Sequence, residues 1–177
     1  MSTAAVHNAK KAQFLVKRAA QPFAREGPGS CYNVACVKST DIELYQGGGL
    51  TGAEFLARLV WKVGHTNDIE RQQGEYGRCD KGQTHIWVCH WVVARRCYCE
   101  RLAQLQQQCD GGRLIIEPCR GCRVHHREYF DFSSVAGFTQ FTTLMTNVIT
   151  SMGEVPNCVL LDPSPDTLDI YNLILQS

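Results

Sequence analysis

The fold class follows from one stretch of the chain, Thr84-His85-Ile86-Trp87-Val88-Cys89-His90-Trp91-Val92-Val93. Aromatic and β-branched side chains dominate this stretch, which predicts a long β-strand. Side chains alternate between the two faces of a regular strand, so His85 and Trp87 would share one face and His90 would lie on the other. The stretch therefore predicts a sheet that carries two histidines on opposite faces.

Helices are predicted on both sides of this strand. Upstream, Thr51 and Glu54 have the spacing of a capping box, and apolar residues at helical intervals predict a helix over Thr51–Val63 that ends at Gly64. Downstream, helical periodicity predicts three further helices. They run through Leu102 and Leu105, over residues 137–152 with a stop at Gly153, and from the Ser164-Pro165 start to Leu175.

Shorter strands and loops complete the prediction. Alternating apolar residues predict strands over residues 41–46, 113–117 and 157–161, whereas the polar, Gly-rich residues 65–83 predict an exposed loop. Strands and helices follow one another without a strict βαβ rhythm. We therefore expect an α+β fold, with a mainly antiparallel sheet flanked by helices and a zinc-stapled, cysteine-rich insertion. A basic arm and linker over residues 1–29 would precede a single zinc-containing domain over residues 30–177.

Charge is distributed unevenly along the chain. The net charge is +1, but residues 78–126 carry eight Arg or Lys against four acids, and the chain from residue 128 onward carries six acids and no basic residue. A basic front half with an acidic tail is typical of a protein with one side that faces nucleic acid. The predicted contacts to nucleic acid are Lys10, Lys11, Lys17, Arg18, Arg95, Arg96, Arg120 and Arg123.

The ten cysteines point to a metal site. No secretory signal precedes them and no apolar run is long enough for a membrane span, so we expect an intracellular chain with reduced thiols. Cys97 and Cys99 form one close pair, and Cys119 and Cys122 form a second pair, with 19 residues between the two pairs. Four thiolates at such spacings predict a tetrahedral zinc site that leaves no open position for water and is therefore structural. The reserve ligands, one of which could replace a member of a pair, are Cys89, Cys109, His125 and His126.

The run from His85 to His90, followed after a short gap by Cys97-Tyr-Cys99, resembles the N-terminal part of the large nonstructural replication protein of densoviruses, the invertebrate parvoviruses. The resemblance implies a domain that initiates rolling-circle or rolling-hairpin replication. It would bind single-stranded or hairpin DNA in the host nucleus and nick it with a tyrosine and a divalent cation, Mg²⁺ or Mn²⁺.

Carried over onto this sequence, the resemblance gives His85 as the first metal histidine and catalytic residue. Trp87 stands where the family has its second histidine, so the nuclease centre is degenerate and nicking would be weak or lost. Further candidate ligands of the cation are His90 and Glu75. Tyr171 on the last helix is the candidate nucleophile, with Tyr129 as the weaker alternative.

Two alternatives belong to other functional classes. Cys31, at the predicted start of a helix, with His85 as its base, would make a papain-like viral leader protease. A zinc-stabilised adaptor without catalysis would bind host protein or RNA. The sequence also leaves open a homo-oligomer.

Overall fold

The computed structural model describes residues 26–75, 82–109, 129–130 and 136–177. Its strands are Gly29–Lys38 (β1), Val60–Thr66 (β2), Gln83–Val93 (β3), Tyr129–Phe130 (β4) and Cys158–Leu160 (β5). Its helices are Ser39–Gln46 (α1), Gly52–Leu56 (α2), Ile69–Glu75 (α3), Arg96–Cys109 (α4), Gly137–Ser151 (α5) and Leu168–Leu175 (α6), the last preceded by a 3₁₀ turn over Pro165–Thr167.

The five strands form one antiparallel sheet in the order β4-β2-β1-β3-β5. The α+β class with an antiparallel sheet is therefore confirmed. The sheet buries side chains on both faces. The larger cluster combines residues of β1, β2 and β3 with residues of α2, α4, α5 and α6, and the smaller one, on the opposite face, gathers Tyr32, Val34 and Cys36 with Val60, Ile69 and Trp87.

Several predicted elements are confirmed by the described residues. Strand β3 covers residues 83–93, α4 contains Leu102 and Leu105, and α5 buries the apolar stripe predicted for it. Gly153 follows α5 with a φ of 79°, the left-handed conformation that glycine adopts most readily at a helix end. The strand near 157–161 and the last helix are also present.

Residues 41–46 are helical, so the predicted strand is wrong. Within α1, Ile42 and Tyr45 pack against the core, while Leu44 is 48% exposed. The apolar side chains that matter are thus three residues apart, which is the spacing of one helix face. The alternation of Ile42 with Leu44 indicated the two-residue period of a strand. This period was misleading because Leu44 contributes little to the core.

The helix predicted over Thr51–Val63 is correct only at its start. The capping box is present, since the Thr51 hydroxyl accepts from the Glu54 N–H at 3.2 Å and the Thr51 N–H donates to Glu54 Oε2 at 2.8 Å. However, α2 ends at Leu56, and Val60 begins β2. The aromatic and β-branched residues after Leu59 gain more by pairing with β1 than by extending a short helix. Gly64 is consequently a strand residue and not a helix cap.

The predicted loop over residues 65–83 is also partly wrong, because β2 extends to Thr66 and α3 follows.

Residues 26–29, predicted as part of a linker, pack on the start of α4 through a hydrogen bond from the Arg96 N–H to the Gly27 carbonyl at 3.1 Å. The predicted basic arm up to residue 25 and the strand over 113–117 lie outside the described residues. No helix of the described part has both the length and the apolar character needed to cross a membrane.

Candidate metal centre

A thiol and an imidazole meet where α4 begins over the sheet. Cys97 lies in the first turn of α4 and is 7% exposed. His65 lies near the end of β2, opposite Cys31 of β1 in the register of the sheet. The Sγ atom of Cys97 is 3.4 Å from Nε2 of His65. This contact joins residues that are 32 positions apart in the sequence.

Glu100 fixes the orientation of the His65 ring. Its Oε2 atom lies 2.5 Å from His65 Nδ1, and Glu100 is one helical turn after Cys97 on α4. The carboxylate raises the pKa of His65, and this effect outweighs burial, which acts in the opposite direction. A proton on Nδ1 leaves the lone pair of Nε2 directed at the Cys97 sulfur.

A second carboxylate, that of Glu26, caps the amino end of α4. Glu26 accepts hydrogen bonds from the backbone N–H groups of Cys97 at 3.1 Å and Tyr98 at 3.0 Å. These are donors that the first turn of a helix cannot satisfy internally. Burial, and then the charge of Glu26, raise the pKa of the Cys97 thiol. Glu26 and Glu100 thus place two carboxylates near Cys97, and the charge of Arg96 acts in the opposite direction.

The predicted Cys97–Cys99 pair is split by the helix. Two residues apart on an α-helix, side chains diverge by about 200° around the axis. Cys99 is completely buried and packs against Cys31, whose pKa is raised well above its usual value, first by the Cys99 side chain and then by burial. Cys99 therefore faces the core, and His65, which the sequence analysis missed, is the neighbour of Cys97. The partner ligands Cys119 and Cys122 and the reserve ligands His125 and His126 lie outside the described residues.

Cys31 is not placed as a nucleophile. It is fully buried, and its thiol donates to the Arg96 carbonyl at 3.3 Å. Its proposed base, His85, pairs with Cys36 and lies on the opposite face of the sheet. The pair suggested for a leader protease is therefore not brought together.

His85 and His90 lie on the same face of β3, contrary to the prediction from alternation. Asn33 of β1 pairs with Cys89 and Val34 pairs with Trp87, so Val88 is an extra residue in a β-bulge. His85 lines a half-open cleft of about 280 Å³ together with Gln73, Ile86, Trp87, Asp162, Pro163, Ser164 and Thr167. The predicted ligand Glu75 is exposed at the end of α3, and His90 bonds through Nδ1 to the Ser30 hydroxyl at 3.0 Å.

Tyr171 is separated from these histidines by the sheet. It is 5% exposed within the larger core cluster, and its hydroxyl donates to the Val88 carbonyl at 3.3 Å. Burial raises its pKa. Tyr129, the weaker candidate, is in β4, and Cys109 is the last residue of α4. Across residues 26–75, 82–109, 129–130 and 136–177, no three His, Cys, Asp or Glu side chains gather closely enough to hold a metal ion.

Two of the predicted nucleic-acid contacts, Arg95 and Arg96, immediately precede Cys97. Arg95 is exposed, with its guanidinium 4.1 Å from the centre of the Tyr98 ring. Arg96 donates through Nη1 to the Pro28 carbonyl at 2.8 Å, so it also ties down the segment that precedes β1. The other predicted contacts, Lys10, Lys11, Lys17, Arg18, Arg120 and Arg123, lie outside the described residues.

No family model, curated protein or solved structure matches the chain.

Proposed function

We propose that Cys97 and His65 are two ligands of a structural zinc ion, and that Cys119 and Cys122 supply the other two. The observation that carries this proposal is the 3.4 Å separation between Cys97 Sγ and His65 Nε2. Zinc bonds of about 2.3 Å to sulfur and about 2.0 Å to nitrogen, at a tetrahedral angle, place the two ligand atoms about 3.5 Å apart. The donor pair therefore fits zinc as it stands.

Glu100 gives this proposal further support. A histidine that binds zinc through one ring nitrogen commonly donates the other N–H to a carboxylate, which fixes the ring and increases its basicity. Glu100 occupies this position on His65 Nδ1. The carboxylates of Glu26 and Glu100 near Cys97 would also favour a bound dication.

The zinc ion would link β2 and α4 to the cysteine pair near residue 120. The domain that this link stabilises would bind DNA and would be of replication-initiator type. Exposed Arg95 lies two residues before Cys97, and Arg120 and Arg123 flank the other two ligands in the sequence. Zinc would thus hold the segment that carries Arg120 and Arg123 near the start of α4, and these arginines and Arg95 could contact phosphates. The buried Tyr171 hydroxyl supports binding without nicking.

Metal analysis of the purified chain tests the ligand set. We expect one zinc per chain, lost in Cys97→Ser and His65→Ala and retained in Cys99→Ala. Cys36→Ser is the matched control, because Cys36 is buried on the other face of the sheet. Zinc that survives in Cys97→Ser, or that is lost only in Cys99→Ala, would refute the proposed set.

DNA binding is tested separately by electrophoretic shift over a range of salt concentrations. Affinity for single-stranded or hairpin DNA should fall steeply with salt, since each phosphate contact releases counterions. Arg95→Ala should weaken binding and reduce the slope, whereas Arg71→Ala on α3 removes the same charge elsewhere and should not. A flat salt response would leave the zinc site standing and exclude nucleic acid as the partner.

The same three side chains support a second candidate, a thiol-dependent hydrolase. Glu100, His65 and Cys97 stand in the order of orienting acid, general base and nucleophile. Iodoacetamide distinguishes the candidates. A catalytic Cys97 in the protein as purified would be alkylated rapidly, with loss of thioester hydrolysis, and zinc-bound Cys97 would be protected until a chelator is added.

A further inference from the structure

A second pair of thiols lies at the edge of the sheet, away from the candidate metal centre. Cys89 of β3 pairs with Leu160 of β5, and Trp91 pairs with Cys158. Cys89 and Cys158 are therefore diagonal neighbours on two antiparallel strands, with side chains on the same face. Cys89 is completely buried, whereas Cys158 is exposed on the edge strand.

The two thiols interact directly and are unequal. The contact with the Cys89 thiol lowers the pKa of Cys158, an effect larger than that of partial burial. The same contact and burial raise the pKa of Cys89. Cys158 is thus the member that more readily carries a thiolate, and Cys89 is the proton donor that stabilises it. A reactive thiol needs this combination of thiolate character and access to solvent.

We propose that Cys158 and Cys89 form a reversible redox site, in which Cys158 reacts with hydrogen peroxide and Cys89 resolves the product to a disulfide between β5 and β3. The Cys158 thiol first gives its proton to solvent. The thiolate attacks one peroxide oxygen, the O–O bond breaks, a sulfenic acid forms on Cys158, and the hydroxide that leaves takes up a proton from solvent and becomes water. The Cys89 sulfur then attacks the Cys158 sulfur, the S–O bond breaks, and the hydroxyl departs as water with the proton of Cys89. Two thiols are oxidised and one peroxide is reduced to two waters.

Cys31 and Cys99 provide an internal comparison. Their side chains also contact each other, but both residues are completely buried, Cys31 on β1 and Cys99 on the face of α4 that packs on the sheet. Contact between two thiols is therefore common to both pairs, and exposure is what separates them. Peroxide should reach the pair at the sheet edge and leave the pair between β1 and α4 reduced in the folded protein.

The consequence of the disulfide would be local. β5 is a three-residue strand at the sheet edge, and the chain continues from it through the 3₁₀ turn into α6. A covalent bond from Cys158 to Cys89 would tie this edge strand to the interior of the sheet. Oxidation should therefore protect β5 and the segment after it from local opening.

The experiment exposes the folded chain of residues 1–177 to hydrogen peroxide, alkylates the remaining thiols, and maps the digested protein by mass spectrometry with and without prior reduction. We expect a linked peptide that contains Cys89 and Cys158, reversed by dithiothreitol, while Cys31 and Cys99 stay reduced. Cys158→Ser, a change at an exposed position, should abolish the linked peptide, and Cys36→Ser should not affect it. Cys158 found as a sulfinic acid beside a free Cys89, or a linked peptide that joins Cys31 to Cys99 instead, would overturn the proposal.

Discussion

His85 and His90 share one face of β3 because Val88 is accommodated as a bulge between them. Val88 and Cys89, consecutive in sequence, both contribute to the larger core cluster, and the alternation is reversed from that point. His90 is thereby carried to the face of Tyr32, its partner in the register, where Ser30 holds its ring. The bulge thus decides the environment of a titratable group.

The environment of His90 predicts that it lowers stability in acid. Burial lowers its pKa, so the folded protein holds His90 neutral at a pH where the unfolded chain, with a pKa of about 6.5, binds a proton. The stabilising contribution of neutral His90 is present above a pH of about 6.5. It is lost as the pH falls below that value, because the unfolded chain binds a proton more readily than the folded protein does. The urea midpoint should therefore fall less between pH 8 and pH 5.5 in His90→Gln than in the wild type.

Comparison with the variant isolates this effect, because His65 acts with the opposite sign. Its pKa is raised, so its contribution is present at low pH and is lost as the pH rises through its folded value. Both proteins in the comparison contain His65, and its effect cancels. Equal pH dependence in the two proteins would show that His90 is not held neutral by the fold.

The elements that could be predicted from the sequence are those whose residue pattern fits only one type of secondary structure. Strand β3 is too rich in β-branched and aromatic residues for another structure, and α5 presents a long apolar stripe with a glycine after it. The prediction of short elements fails where pairing with a distant strand competes with the local sequence signal. The capping box at Thr51 correctly starts a helix, but it does not indicate that β1 captures residues 60–66 as a strand. No glycine or other local signal marks the bulge at Val88.

The candidate site was predicted only in part for the same reason. Cys97 could be found because close cysteine pairs are a known sign of metal binding. The helical geometry of α4 then sends Cys99 to the core, and the sheet register brings His65 from a distant strand. His65 has no neighbouring cysteine or histidine in the sequence, so no spacing rule selects it.

Removing the carboxylate behind His65 should weaken zinc binding without removing a ligand. In Glu100→Ala, zinc affinity should fall by about 10- to 100-fold, since the ring loses the partner that orients it. Competition with a chromogenic chelator measures this change. Glu70→Ala, at an exposed position of α3, should bind zinc as the wild type does. Unchanged affinity in Glu100→Ala would remove the support that this carboxylate gives to the proposed site.

Tyr171 should prove to be a structural residue. Its hydroxyl bonds to the Val88 carbonyl in the core, so Tyr171→Phe should lower the free energy of unfolding by about 0.5–1.5 kcal/mol. Tyr45→Phe on α1 is the matched change at a partly buried ring.

The wild type, incubated with a single-stranded oligonucleotide and Mn²⁺, should give no covalent adduct on a denaturing gel. An adduct that Tyr171→Phe abolishes would instead establish nicking by this residue.

Gly64 is required by the packing of Tyr32 over β2. The two residues are paired across β1 and β2, and a methyl group at position 64 would overlap the Tyr32 ring. Gly64→Ala should therefore lower the free energy of unfolding by about 1–3 kcal/mol, measured by urea denaturation. Gly74→Ala in α3, where a methyl group meets open space, should be neutral or slightly stabilising. Adding Tyr32→Leu to Gly64→Ala should recover part of the loss, and a strictly additive effect would contradict this contact.

The capping box of α2 should stabilise the protein through both of its residues. Thr51→Ala removes the acceptor for the Glu54 N–H and should cost about 1 kcal/mol, whereas Thr51→Ser keeps the hydroxyl and should cost much less. The Thr51 backbone N–H, and then its hydroxyl, lower the pKa of Glu54, so the contribution of that carboxylate is present above its unfolded pKa of about 4.3 and is lost as the pH falls through its folded value. The stability difference between Thr51→Ala and the wild type should consequently narrow in acid. Urea denaturation of the three proteins at pH 7 and pH 3.5 measures both effects, and a difference that stays constant with pH would show that Glu54 does not depend on Thr51.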